Sequence, residues 1–273
     1  GFDARDQLVI GDARGAVLEL AHPLVDRFDL SNLRYLFSGA APLGGEITRA
    51  LQARLPLTVR QGYGMTELSP VSHYTPADGE RSGKVGLLVP STEMRIVDPA
   101  TGADVGEGEA GEVWIRGPQA MNGYLNNPAA TAQTIDADDW LHTGDIGVVD
   151  AEGYLEIVDR LKELIKVKAF QVAPAELEAL LLKHPKIADA AVFGVPNADL
   201  GEEVKAVVQL MPGVEPSVET VAELMAFCVD HLSRQKCPRS IDFEAELPRL
   251  PTGKLYKRTL RDRYWGDGQS RIV

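Results

Sequence analysis

The sequence predicts an α/β protein in three parts. These are a partial parallel sheet with a βαβ unit, a small antiparallel β-barrel-like subdomain, and a separate small α+β domain at the C-terminal end. Three observations lead there. Between Arg34 and Arg60 two short apolar runs flank a segment with helical spacing. From Ser82 to Val158 short runs alternate with Gly, Pro and Asp. After Asp159 single helical patterns are interleaved with strands. We therefore divide the 273 residues into 1–159, with the α/β part over about 1–80 and the β part over 81–159, and 160–273.

Composition narrows the partners. With 44% hydrophobic residues the chain has ample material for ordinary cores. A formal charge of −12 argues against nucleic acid or an anionic membrane as the main partner, so any polyanionic ligand needs a local basic patch. No apolar run approaches the length of a membrane span, and no signal peptide is visible. The two cysteines, Cys228 and Cys237, have neither metal-ligand spacing nor a disulfide framework, and we expect a cytoplasmic protein. The chain opens on Gly1 rather than methionine, which suggests a fragment.

Residues 1–20 support no element, because GDARGAVLEL is short and interrupted by Gly. Arg34–Phe37 reads as a buried strand that ends in SGAAPLGG, Ser38–Gly45. A helix follows from about Glu46 to Leu55, with Ile47, Ala50, Leu51 and Leu55 as its apolar stripe, and Thr58–Arg60 is the next strand. It breaks into QGYGMTE, Gln61–Glu67. In a βαβ unit both loops open on the carboxyl edge of the sheet, where ligands bind. Gly62 and Gly64 permit close backbone approach, and Tyr63 can stack on a flat base. Thr66 offers a hydroxyl to phosphate, and Glu67 a hard oxygen to Mg²⁺. Any two of these residues alone would be an ordinary Gly-rich turn before a helix.

The β part contains strands Glu93–Val97, Glu112–Arg116, Ile146–Val149 and Tyr154–Val158, the last two joined around Ala151-Glu152-Gly153. Gly106, Gly108 and Gly111 spell GxGxxG, but they precede a strand instead of joining strand to helix, so they are a loop. WLHTGD, Trp140–Asp145, places an Asp in a turn where it can accept the hydroxyls of a ribose, although a turn-capping Asp looks the same.

After Asp159, four cations (Arg160, Lys162, Lys166 and Lys168) fall within nine residues. Ile165 and Val167 alternate with Lys166 and Lys168, which on a strand gives one buried and one cationic face. Charge pattern alone favours a solvated basic edge. Pro174–His184 reads as a helix with Leu177, Leu180 and Leu181 buried. Strands at Ala188–Val195 and Val204–Met211, a helix Val218–Leu232 and a strand Ser240–Ala245 follow. Lys254 sits on a Pro/Gly turn before a basic helix, in LPRLPTGKLYKRTLR, and Pro248 stands where a P-loop requires its first Gly.

Taken together, GAAP, YGMTE, TGD, DRLKELIKVKAFQVAPAELE and PTGK stand in the order found in the AMP-forming acyl-CoA synthetases. From about His22 onward the chain resembles the second half of these adenylating enzymes, which include 4-coumarate–CoA ligases and firefly luciferase. The resemblance implies acyl-AMP formation from a carboxylic acid and ATP, then thioester formation with coenzyme A. By resemblance, Gly39, Ala40, Ala41, Gln61, Gly62 and Tyr63 line the adenine, Thr66 binds the AMP phosphate, and Glu67 holds the metal. Met65, Pro70, Val71 and Tyr74 border the acyl pocket. Asp145 with Arg160 takes the ribose, and Lys254 bridges the carboxylate and the α-phosphate. Lys162 is the hinge about which the C-terminal domain turns. That turn brings strand 164–172 to the site, with Lys166 and Gln171 at the AMP and Lys168–Ala169 beside the pantetheine.

Two departures stand out. Ala169 replaces the family's usual Gly, which bears on thioester formation. The Ser/Thr/Gly-rich phosphate loop lies upstream in the family, so we expect a missing N-terminal segment and no ATP turnover by the chain alone. Two other readings are an adenylation domain that loads a carrier protein and a non-catalytic AMP-binding remnant. The five histidines do not cluster as metal ligands, and there is no GxSxG elbow.

Overall fold

The computed structural model describes residues 7–10, 27, 29–31, 34–39, 43, 45–55, 57–79, 81–168, 170–250 and 255–265. They form two compact units, 1–157 and 158–273.

The first unit holds a five-stranded sheet in the order β1 (Gln7–Ile10), β2 (Tyr35–Ser38), β3 (Thr58–Tyr63), β4 (His73–Tyr74), β5 (Leu87–Leu88). β1, β2 and β3 are parallel, with Tyr35 opposite Thr58, and β4 and β5 continue antiparallel. The expected βαβ unit is present, joined by α1 (Gly45–Arg54). Its buried stripe agrees with the expected one at Leu51 and Leu55 and differs at Ala50, which is exposed, while Thr48 is buried with them. The side chain of Ile47 lies outside the described residues. β1 is a strand that residues 1–20 do not announce, because four residues carry no readable period and pairing with β2 defines it.

The β part is a sheet of β6 (Glu93–Val97), β7 (Gly111–Arg116), β8 (Leu141–Val149) and β9 (Leu155–Arg160). Among the described residues it is an open four-stranded antiparallel sheet, not a closed barrel. Its core is Val113, Ile115, Leu141 and Leu155, with Leu68 and Val85 packed in. Gly106 and Gly108 lie in the loop between β6 and β7, as the sequence indicates, but Gly111 opens β7 and pairs with Gly147 of β8. A short helix, α2 (Pro128–Thr134), is not announced by any apolar period; Asn127 caps it by accepting from Ala130 N–H.

In the second unit the sheet order is β11 (Phe170–Val172), β10 (Ile165–Val167), β13 (Gly201–Leu210), β12 (Ile187–Asn197), with β14 (Ser240–Phe243) parallel to β13. Two cores flank it. On one side α3 (Pro174–Leu181) and α4 (Val218–His231) bring Leu177, Leu181, Leu224 and Cys228 against Ile165, Val192 and Val208. On the other, Leu260 of α5 (Lys257–Trp265) and Leu247 meet Ala191, Phe193 and Val207. Both faces of β12 are covered, which is why Ala190–Phe193 is an unbroken apolar run. Cys228 and Cys237 are buried free thiols, and burial pushes Cys228 up to about 11.

The stretch expected as one strand over 164–172 is a hairpin. β10 and β11 are joined at Lys168, whose φ of 55° turns the chain, and its N–H donates to Leu200 C=O at 2.8 Å. The alternation holds as far as Lys168, but a positive φ on lysine has no signature in the sequence.

Candidate functional site

In the first unit, β2 and β3 deliver two loops side by side. Gln61 is buried within β3, where its side-chain amide makes a reciprocal pair with Leu43. Leu43 N–H donates to Gln61 Oε1 at 3.2 Å, and Gln61 Nε2 donates to Leu43 C=O at 3.3 Å. Gly39 lies in the first loop, half-buried, whereas Ala40 and Ala41 lie outside the described residues. Gly62 and Gly64 are both half-buried. A Cβ on Gly64 would come within 1.9 Å of Pro70 C=O, so only glycine fits that approach.

Tyr63 at the end of β3 donates its hydroxyl to Asp145 Oδ2 at 2.7 Å. Asp145, placed in a turn by the sequence, lies within β8, at an irregularity where the register with β7 shifts. The bulge has identifiable causes. Gly144 takes φ 70°, and its N–H donates to Glu112 Oε1 at 3.0 Å. Thr143 Oγ1 donates to Val113 C=O at 2.7 Å and accepts from Asp145 N–H. Glu112 is itself buried and takes a second bond from Trp114 Nε1.

Thr66 and Glu67 open a single 3₁₀ turn, Thr66–Leu68, pinned by buried Leu68. Thr66 is exposed and Glu67 half-buried. Glu67 C=O accepts from Met121 N–H at 2.8 Å, and its Oε1 accepts from the Tyr124 hydroxyl at 2.7 Å. That bond to a carboxylate raises the Tyr124 pKa. Among the described residues no three His, Cys, Asp or Glu side chains group as a metal cage. One hard carboxylate oxygen still fits Mg²⁺, which is usually held by one or two carboxylates with water and substrate phosphates. Met65, Val71 and Tyr74 are half-buried and Pro70 is exposed. Tyr74 stacks on Phe37 at 5.4 Å, and His73 beside it is fully buried, with burial driving its imidazole down to about 3.

The second unit carries the basic stretch. Arg160, Lys162, Lys166 and Lys168 are all exposed, while Ile165 and Val167 are buried. Lys166 and Gln171 are directly opposite across the hairpin and share its exposed face. A cavity of about 480 Å³ opens beside them, lined in part by Arg160, Lys162, Lys166, Glu202 and Lys257. Ala169 and Lys254 lie outside the described residues.

Several contacts of these segments are not legible in the sequence as site features. Tyr124 is 57 residues from Glu67, and nothing local marks the pair. Glu112 reads as an ordinary strand residue. Lys257 reads as a solvated member of a basic helix, yet its side chain is only 17% exposed and lies between Glu163 and Glu178.

Residues 10–125 match the AMP-binding enzyme family, and residues 176–254 match the AMP-binding enzyme C-terminal domain. The chain is 46% identical over 250 residues to probable 4-coumarate–CoA ligase 1 of Dictyostelium discoideum, covering 90% of this chain and 45% of that protein. It is 48% identical over 252 residues to 4-coumarate–CoA ligase 2 of Oryza sativa subsp. japonica, covering 90% and 44%. Among solved structures it is similar to an ATP-bound RpMatB-BxBclM chimera, at 34% identity and a TM-score of 0.89 over 94% of this chain and 51% of that one. The chain thus spans about half the length of these relatives. Two successive family matches and this level of identity place it in the AMP-binding, adenylate-forming enzyme family, similar to the C-terminal portion of 4-coumarate–CoA ligases.

Proposed function

We propose that the protein activates a carboxylic acid as its acyl-adenylate and transfers the acyl group to coenzyme A. The observation that carries this reading is the Tyr63–Asp145 bond, which joins the YGMTE loop to the TGD strand in one corner of the first unit. A carboxylate is a poor acyl donor, and attack on the ATP α-phosphate turns its oxygen into the leaving group AMP, with release of pyrophosphate. Two anions meet in that step, so cations must be held where charge develops.

In this proposal Tyr63 stacks on the adenine, and Gly39, Ala40, Ala41, Gln61 and Gly62 complete its cleft. The Gln61 amide shapes that cleft through Leu43. Asp145 and Arg160 take the ribose hydroxyls, and Thr66 donates to the α-phosphate. Glu67 would hold Mg²⁺, which neutralises phosphate charge when bound. Lys254 supplies the ammonium between carboxylate and α-phosphate. Rotation about Lys162 then exchanges it for the Lys166/Gln171 face, and the Lys168–Ala169 turn lies along the pantetheine. Opposed placement of Lys166 and Gln171 supports that second role, because both reach one side of the hairpin.

Carboxylate-dependent ATP–pyrophosphate exchange and thioester formation from supplied acyl-AMP, each measured with Lys254→Ala, test the reading. Loss of the first with retention of the second is expected. Equal loss of both overturns the role of Lys254, and absence of AMP or acyl-AMP binding by calorimetry overturns the function.

A further inference from the structure

Ionisable groups with no part in the proposed chemistry converge on one ammonium in the second unit. Lys257 opens α5, three residues after Lys254. Its Nζ lies 3.0 Å from Glu163 Oε2 and 2.8 Å from Glu178 Oε1. Glu163 follows directly on Lys162, and Glu178 is in α3. Glu178 Oε1 also accepts from Val192 N–H of β12 at 2.7 Å. On the other side of Lys162, buried Asp159 accepts from Arg160 N–H at 2.7 Å and from Ala175 N–H at 2.9 Å. Desolvation opposes a charged Lys257, but Glu178 and Glu163 outweigh it, and its pKa is raised.

The arrangement has a direction. Arg160, Lys162, Lys166 and Lys168 are exposed, whereas Lys257 has most of its side chain sequestered between two carboxylates. Such a pair adds little stability over an apolar contact of the same shape; what it adds is one permitted register between the elements it joins. Here those elements are the segment after Lys162, the helix that follows the hairpin, and the start of α5. We propose that Lys257 is a positioning residue that fixes the start of α5, three residues after Lys254 in sequence, against the segment just after Lys162. Lys257 thereby couples α5 to the segment that follows Lys162. Its catalytic meaning rests on the proposed adenylation, but the coupling itself is measurable without turnover.

The test is hydrogen exchange on the full chain and its Lys257→Met, Lys257→Arg and Glu163→Gln variants. Lys257→Met and Glu163→Gln should each raise exchange about tenfold or more at both 161–164 and 257–262. The β12–β13 ladder should remain protected, and Lys257→Arg should restore the wild-type pattern. Exchange that rises evenly through the second unit, or in only one of the two segments, overturns the proposal. Glu163→Gln keeps its shape and carries the test if Lys257→Met does not fold. In the active enzyme, Lys257→Met should lower kcat for acyl-AMP formation about tenfold more than thioester formation from supplied acyl-AMP, and equal loss counts against it. If the wild type forms no adenylate, the exchange result still decides the coupling and the fault lies with the activity.

Discussion

Tyr63 and Asp145, 82 residues apart in sequence, meet through a 2.7 Å hydrogen bond from phenol to carboxylate. The bond fixes the ring that ends β3 relative to the bulged part of β8. A hydrogen bond to a charged group contributes roughly 1.5–3 kcal/mol. Tyr63→Phe should therefore weaken AMP binding by about 10- to 100-fold in a calorimetric titration, with an unchanged far-UV spectrum. Unaltered affinity would detach this pair from the nucleotide.

Tyr124 makes a comparable bond to Glu67, and its loop is tied to the same residue through Met121 N–H. Groups that orient a metal ligand typically contribute 10–100-fold to metal affinity. We expect Tyr124→Phe to raise the Mg²⁺ concentration needed for half-maximal nucleotide binding by about tenfold, without a change in melting temperature beyond a few degrees. Mg²⁺ titration in the presence of nucleotide checks this.

Asp159 gives a pH prediction with a definite sign. Burial raises its pKa to about 6, although Ala175 N–H, Lys257 and Arg160 N–H act against the change and Glu163 acts with it. A carboxyl with a higher pKa folded than unfolded takes up protons on folding, so its penalty is full above about pH 6 and is relieved as pH falls toward 4. A rise from the ordinary 3.8 to about 6 corresponds to about 3 kcal/mol at most. The stability of wild type minus that of Asp159→Asn should thus rise by roughly 1–3 kcal/mol between about pH 7 and pH 4.5. Urea unfolding at the two pH values measures it, and a flat or opposite difference refutes the assignment.

Gly64→Ala is expected to destabilise the first unit by about 2 kcal/mol or more, since the clash is with backbone that cannot rotate away. Thermal unfolding reads this directly. A neutral result would mean that the Pro70 segment relaxes at little cost.

Much of the fold is legible in residue order because its signals are local. The alternation at Ile165–Lys168 and the βαβ spacing from Tyr35 to Thr58 each occupy one short stretch. Where residue order misleads, the determinant is distant. β1 exists through pairing with β2, the bulge at Gly144 depends on Glu112, and the hairpin at Lys168 is held by Leu200 C=O. Within the candidate site, side-chain types at Thr66, Glu67 and Asp145 suggest their chemistry. Tyr63 and Thr143 stand inside the YGMTE and TGD motifs, although their bonds to Asp145 are not legible there, whereas Tyr124, the partner of Glu67, does not stand out at all. Lys257 is the plainest case, because a lysine in KLYKR gives no hint that two distant glutamates enclose it.

The Gln61 carboxamide gives and takes a bond with Leu43 N–H and C=O in the manner of a neighbouring strand, so a single side chain of β3 holds the loop that follows β2. Glutamate would retain the acceptor and lose the donor, and leucine would lose both. The seam between the two loops is therefore written in one amide group, and exchanging its nitrogen for oxygen is enough to unfasten half of it.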